Sequence, residues 1–264
     1  MVCDSSQEKV MARFFTGPEN IGRNIIIIDD AGDLHHMVKV LRLKEGDEVD
    51  VSDTLEWEYR ARITSLSEEE AQLEILDKQR YAAEPSVEVT LFQGIPKQGK
   101  METIIQKCVE LGVHDIVPVF MDRTVVKDKG NSGKKTQRWN KVSAEAVKQC
   151  RRGIIPEIAE PVRTKDAIEA FPDYDLVLFP YENEKGKTIK EALLTATNPM
   201  YEEITGNRLE RVALIIGPEG GFSDEEAAAI VAAGGEAVSL GRTILRTETA
   251  GMAALAMIMY ELEL

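Results

Sequence analysis

A small β-barrel followed by an α/β domain built on a parallel sheet is the fold this chain predicts, and three observations carry it. In the first eighty residues, short runs of alternating apolar and polar residues are parted by polar turns, the pattern of half-buried strands in a small closed sheet. After Pro85 the period changes, and apolar β-branched runs alternate with segments of helical spacing. That alternation implies parallel strands covered on both faces. Near the end, the apolar runs 212–216 and 237–240 each pass into a glycine-bearing loop and then a helix. Such junctions build the carboxyl edge of a parallel sheet, where open α/β folds bind their ligands.

Taken in order, Ile25, Ile26, Ile27 and Ile28 form a first strand that Asp29, Asp30 and Gly32 stop. A short helical or irregular piece over 35–43 leads to a turn at Lys44, Glu45, Gly46 and Asp47. Strands follow over 48–53, 58–63 and 71–76, the last two split by the acidic turn 67–70. Pattern and composition shift together over 81–85, so the chain divides into 1–82 and 83–264. The second part opens with a strand over 87–92. Met101, Ile104, Ile105, Cys108, Val109 and Leu111 then fall at helical spacing, closed by Gly112. A strand over 116–120, a Lys- and Gly-rich loop over 128–135 and a helix over 139–149 come next. The later strands are 176–179, 212–216 and 237–240, with helices between and after them, among them 227–233 and 250–260; the polar segment 182–210 reads in part as a surface loop.

Composition narrows the function classes. With 43% hydrophobic residues the chain can bury a sizeable core, and disorder is not expected. No apolar run approaches the roughly 20 residues that span a bilayer, and the polar start has no signal-peptide core, so a cytoplasmic protein is expected. Cys3, Cys108 and Cys150 are widely spaced with no CxxC pair, which argues against a disulfide framework or a zinc site and for a reducing compartment. The net charge of −14 argues at first against a nucleic-acid partner. Its distribution reopens the question. Residues 1–80 carry 10 Lys/Arg against 18 Asp/Glu, but residues 123–165 carry 12 against 4. That stretch is either a phosphate-gripping surface or a solvated helix with a lysine-rich loop.

The glycine loop after the 212–216 strand reads Gly217, Pro218, Glu219, Gly220, Gly221, and Ser223 with Glu226 forms a capping box before the next helix. Glycines let a ligand approach the backbone, while Pro218 stiffens the turn. The loop lacks the lysine of a phosphate-binding loop, its spacing is not the dinucleotide fingerprint, and Glu219 would repel a pyrophosphate. An adenosine-bearing ligand without phosphates fits it, and a plain tight connection fits it too. The second junction places Arg246 and Glu248 on either side of Thr247 at a helix start. Arg246 could bind an anion or polarise a carbonyl, with Thr247 or Thr249 as cap; a simple Arg246–Glu248 ion pair is the alternative.

Together these blocks carry a resemblance. Gly217-Pro218-Glu219-Gly220-Gly221-Phe222-Ser223 with Glu226, then Leu240-Gly241 and Ile244-Leu245-Arg246-Thr247-Glu248-Thr249-Ala250, resemble the signature of the RsmE family. These are 16S ribosomal RNA uridine-N3 methyltransferases of the knotted SPOUT class. The resemblance extends to Arg13-Phe14-Phe15, to His36 with 40–43, Gly46 and Asp47, to Lys100 with 105–112, and to Gln149, Cys150 and Arg152 ahead of Pro156. Four separated blocks in order span nearly the whole chain. One departure stands out: the family commonly has glycine where this chain has Arg151, ahead of Arg152 and Gly153.

The resemblance implies a PUA-like, RNA-binding β-barrel over 1–82 and a SPOUT α/β methyltransferase domain over 83–264 with a deep trefoil knot, a feature otherwise nearly absent from proteins. It implies S-adenosylmethionine held by backbone groups of three loops: Leu178, Phe179 and Pro180; Ile216 with Gly217, Pro218, Glu219, Gly220 and Gly221; and Leu240, Gly241, Ile244, Leu245 and Arg246. It implies a homodimer through the SPOUT domain and, as substrate, one uridine of 16S rRNA within the 30S subunit, with no metal. Uridine N3 must lose its proton for methylation, and an arginine near the base would stabilise the anion. Arg246 is the first candidate and Arg152 the second. Arg13, His36, Arg42, Lys100, Gln149 and Arg152 are the expected RNA contacts; His35 and His36 serve structure or RNA rather than as a base. A related knotted methyltransferase acting on tRNA or another rRNA position, and a non-catalytic RNA-binding assembly factor, are the rival readings.

Overall fold

The computed structural model of the chain describes residues 12–80, 84–97, 99–126, 132–150, 152–199 and 208–263. They fall into two compact units: the described residues up to Glu84 together with Lys148–Ile155, and Pro85–Val147 with Pro156 onward. The sequence cut at 82/83 does not include the return of 148–155 to the first unit. Arg151 and residues 127–131 and 200–207 lie outside the described residues.

The first unit is a five-stranded sheet in the order β1 (Arg13–Phe15), β3 (Glu48–Ser52), β4 (Trp57–Leu66), β5 (Ala71–Arg80) and β2 (Ile25–Ile28). β1 runs parallel to β3, and the other pairings are antiparallel. Alternation decides which residues face inward: Val49 and Val51 on β3, and Tyr59, Ala61 and Ile63 on β4, are buried, whereas Arg60 and Arg62 between them are exposed. Phe14, Ile26, Ile28, Leu34 and Met37 complete this core. Fully burying each such large side chain is worth about 1.5–3 kcal/mol relative to leaving it in water. β4 and β5 are longer than the runs of alternation in the sequence, and two register shifts, at Arg60/Ala61 and Ile63/Ser65, interrupt their pairing. The 35–43 piece is a helical turn, α1 (Ala31–His35), opened by the Asp30 cap on the Asp33 N–H at 2.9 Å and continued as a π-helical turn over His36–Val40.

The second unit is a six-stranded, wholly parallel sheet in the order β11 (Glu236–Val238), β9 (Leu176–Pro180), β10 (Arg211–Ile216), β6 (Glu88–Gly94), β7 (Asp115–Phe120) and β8 (Val162–Arg163). Its strands read as continuous apolar runs because both faces are covered. One face, with Phe92, Val177, Phe179, Ala213 and Ile215, packs on α4 (Thr164–Glu169) and α6 (Asp224–Ala232) through Ala167, Ala227 and Ile230. On the other, α7 (Thr247–Glu263) lies against β6 and β10 and against α2 (Lys100–Glu110) and α5 (Ile189–Ala196). Gly251 of α7 makes that approach possible: a Cβ there would sit 3.2 Å from Gln93 Oε1.

Three expectations are refined. The 128–135 loop is helical from Ser132, because α3 (Ser132–Cys150) starts well before Trp139 and buries Thr136, Trp139, Ser143, Ala146 and Val147 along one stripe. The helix expected between the strands 176–179 and 212–216 is α5, inside the polar 182–210 segment, and its start has a capping box between Thr188 and Glu191. The C-terminal helix begins at Thr247 rather than Ala250.

Candidate active site

Because β11, β9 and β10 are adjacent and parallel, the loops that follow them emerge from the same edge of the sheet. The loops after β9 and β11 are laced together by backbone bonds, Tyr181 N–H to the Val238 carbonyl at 3.0 Å and Ser239 N–H to the Lys187 carbonyl at 2.7 Å. Between them opens a cleft of about 540 Å³ lined by Pro180, Tyr181, Leu240, Gly241, Ile244 and Leu245 and by the charged Glu182, Glu184, Lys185 and Arg242. A larger cavity, of about 760 Å³, lies among residues at the amino ends of β6 and β10 such as Val87 and Arg211. The cleft at the carboxyl edge is the better candidate, because parallel sheets present their helix starts and open loop backbone there.

The glycine loop is fixed next to this cleft from several sides. Gly221, at φ +69, closes a turn with its N–H on the Pro218 carbonyl at 2.9 Å. A Cβ on it would come within 2.9 Å of Glu182 Oε1, so the loop reaches the cleft through that carboxylate. The predicted capping box is present: Ser223 Oγ accepts the Glu226 N–H, and Glu226 Oε2 accepts the Ser223 N–H, both at 3.1 Å. Glu226 Oε1 also accepts from Asp122 N–H at 3.0 Å and Thr164 Oγ1 at 2.6 Å, tying the start of α6 to β7. The Arg123 guanidinium donates to the Gly220 carbonyl at 3.1 Å. Thr247 Oγ1 donates to the Gly217 carbonyl at 2.6 Å while accepting from buried Gln93 Nε2 at 2.9 Å. The Thr247 hydroxyl thus pins the glycine loop to α7 instead of serving as the expected helix cap.

The charged residues resolve the question left open at Arg246. Glu248 does not pair with it. Its carboxylate takes Lys100 Nζ at 3.2 Å, and the same ammonium lies 3.5 Å from Glu219 Oε1, which also accepts the Lys97 N–H at 3.0 Å. Burial raises the Glu219 carboxyl, but the Lys97 N–H, the loop's own backbone and the Lys100 charge outweigh it and hold the group below its ordinary value. Arg246 is exposed and makes no side-chain hydrogen bond or ion pair among the described residues.

The other expected residues separate. Leu178, Phe179 and Ile216 bury their side chains, Phe179 edge-on to Phe222 with centroids 5.6 Å apart, so only their backbone is available to a ligand. Arg13, His36, Arg42, Gln149 and Arg152 all belong to the first unit, whereas Lys100 and Arg246 belong to the second. Arg152 is 5% exposed: its Nε and one terminal nitrogen donate to Glu84 Oε2 at 3.1 and 2.6 Å. Glu84 Oε1 accepts the Gly153 and Ile154 N–H groups at 2.8 and 3.1 Å. Arg13 pairs with Glu58 and donates to the Arg152 carbonyl at 3.1 Å, and His36 packs edge-on against Phe14. Arg42, at φ +55, and Gln149 are exposed. Sequence reading missed Tyr181, Glu182 and Glu184 at the cleft and Gln93 beneath the loop. Only Gln93 left a signal, as a polar residue closing an apolar strand.

A cleft beside a glycine loop at the carboxyl edge of a parallel sheet, in a chain with a separate β unit, defines a class also visible in comparison with known proteins. Residues 83–259 match a family profile described as an RNA methyltransferase domain, and residues 28–76 one described as an RNA methyltransferase PUA domain. Ribosomal RNA small subunit methyltransferase E of Bacillus subtilis is 30% identical over 88% of this chain and 89% of its own. The Synechocystis protein of that name is 33% identical over 96% and 79%. Among solved structures, the Neisseria gonorrhoeae methyltransferase E bound to S-adenosyl methionine superposes with a TM-score of 0.77 at 28% identity, over 95% of this chain and 97% of that one. A putative methyltransferase of Legionella pneumophila, in complex with the same cofactor, gives 0.77 at 30%, with the same coverage. The chain belongs to the RsmE family of RNA methyltransferases.

Proposed function

We propose that the protein methylates N3 of one uridine in 16S ribosomal RNA with S-adenosylmethionine as donor. The observation that carries this reading is the cleft edge itself: the loops after β9 and β11 line it, the glycine loop lies against its Glu182 at Gly221, and the exposed, unpaired Arg246 follows directly on Leu245 of its wall. The residues fit the cofactor. Leu240, Ile244, Leu245 and Pro180 offer apolar walls for an adenine. The glycines let a ligand approach the loop backbone closely, and the cleft's charged lining is mixed, Glu182 and Glu184 with Lys185 and Arg242, which suits a ligand carrying both a sulfonium and a carboxylate.

When bound, S-adenosylmethionine supplies an electrophilic methyl group on a sulfonium. The protein's own part is to hold the base in line and to stabilise what develops on it. Uridine N3 gives up its proton to solvent, the N3–methyl bond forms as the sulfur–methyl bond breaks, and Arg246 stabilises negative charge on the flanking carbonyls. Arg152, buried on Glu84, has in this reading a structural part only. The target uridine must be unpaired or flipped to be reached. Arg42 and Gln149 on the first unit and Lys134, Arg138 and Lys141 on α3 are exposed and suited to RNA phosphates. A homodimer is supported by apolar side chains left open on the methyltransferase unit, among them Tyr260 at 69% and Ile244 at 87% exposure. A knotted carboxyl end is supported by the route of the chain from edge strand β11 back across to β6 and β10 as α7. We place the reaction on 30S subunits in the cytoplasm.

The test is labelled S-adenosylmethionine with purified protein and 30S subunits, followed by nucleoside mapping. Label at uridine N3 is expected, and Arg246→Ala should lower it by about 100-fold or more while changing stability by no more than about 0.5 kcal/mol. No label from the wild type on 30S subunits or naked rRNA would refute the reading, and label in tRNA would redirect it.

A further inference from the structure

Lys100 is the first residue of α2, the wrong end of a helix for a cation, because the N-terminus carries partial positive charge that disfavours a lysine there. Breaches of a local rule of this kind collect at functional sites. Here the ammonium is held by two carboxylates from the site's two edges, Glu248 at 3.2 Å on α7 and Glu219 at 3.5 Å on the glycine loop. The two residues after Arg246 are both engaged elsewhere, Thr247 on Gly217 and Gln93, and Glu248 on Lys100. Arg246 alone of the three projects without a partner.

We propose that Lys100 is a positioning residue whose task is to occupy Glu248, so that the Arg246 guanidinium stays free for the anionic base. This rests on the methyl-transfer reading above. Arg246 precedes α7, so the helical geometry that keeps residues two apart from facing each other does not bind its long side chain. With Lys100 gone, Glu248 is the nearest unneutralised carboxylate in sequence. An Arg246–Glu248 pair would then cancel much of the positive field the base requires. Glu219 would keep the Lys97 N–H, so the glycine loop retains an anchor.

The experiment compares wild type, Lys100→Met, Glu248→Gln and the double variant, measuring kcat on 30S subunits and S-adenosylmethionine Kd by calorimetry. Lys100→Met should lose kcat by at least about ten-fold with Kd changed by less than about three-fold, the split expected when transition-state stabilisation alone is removed. Glu248→Gln should keep near wild-type kcat, and adding it to Lys100→Met should restore most of the loss. A purely structural clamp predicts the reverse, since the double variant lacks both ends of the tie. The proposal is overturned if Lys100→Met keeps wild-type kcat. It is equally overturned if the loss, through chemistry or through failure to fold, is not relieved by Glu248→Gln. A wild type inactive on every RNA would instead overturn the methyl-transfer reading itself.

Discussion

Replacing Arg152 by alanine removes the cation from a pair whose side chains are only 7% and 11% exposed. Glu84 would remain, still receiving the Gly153 and Ile154 N–H groups but with its charge uncompensated. Stripping one partner from a buried pair typically costs about 3–5 kcal/mol, chiefly the penalty on the charge left behind. At a urea slope of about 1.5 kcal/mol/M, ordinary for a unit of this size, that lowers the unfolding midpoint by roughly 2–3 M. The chain has two tryptophans, Trp57 in the first unit and Trp139 in the second. Fluorescence in a Trp139→Phe background therefore follows the first unit alone.

A second substitution separates charge from hydrogen bonding. In Arg152→Ala/Glu84→Gln, the amide oxygen can still accept the two N–H groups but carries no charge, so most of the lost midpoint should return. If Arg152→Ala instead left the midpoint unchanged and abolished methylation, the pair would be dispensable to folding. Arg152 would then regain a place beside Arg246 in the chemistry.

Two further outcomes follow from the glycine loop. A Cβ on Gly94 would lie 2.6 Å from the Pro218 nitrogen and 2.8 Å from its Cδ, backbone and ring atoms with nowhere to move; Gly94→Ala should cost about 1–3 kcal/mol and weaken S-adenosylmethionine binding, read by thermal shift with and without cofactor. Glu219 titrates below its usual 4.5 in the folded protein, so its contribution is complete above that value and fades as pH falls through the lowered one. Stability curves of wild type and Glu219→Gln should therefore converge on acidification below about pH 4.5 and stay parallel above it; divergence toward acid would contradict the assigned direction.

What the sequence disclosed and what it hid divide along the range of the interactions involved. Strands β6, β9 and β10 were legible because they are covered on both faces and need apolar residues at every position. The capping box of Ser223 and Glu226 was legible because its partners are three residues apart. β1 was not, since three residues in a parallel edge pairing leave no alternation to count. The bounds of α5 were hidden because it is short and lies inside a polar stretch, although its own capping box at Thr188 and Glu191 was there to be read.

The site shows the same division more sharply. Glycines and a proline marked the loop, since backbone conformation is a local property. The partner of Glu248 was out of reach of local reasoning, because Lys100 stands 148 residues away and Gln93 stands 154 from Thr247. Spacing alone offered Arg246 as the neighbour of Glu248, and on that view the arginine was already neutralised. Only the fold, by bringing the start of α2 to the start of α7, assigns Glu248 to a lysine and leaves the arginine uncommitted. If Arg246 stabilises the uridine anion as proposed, that role rests on an interaction that Arg246 itself does not make.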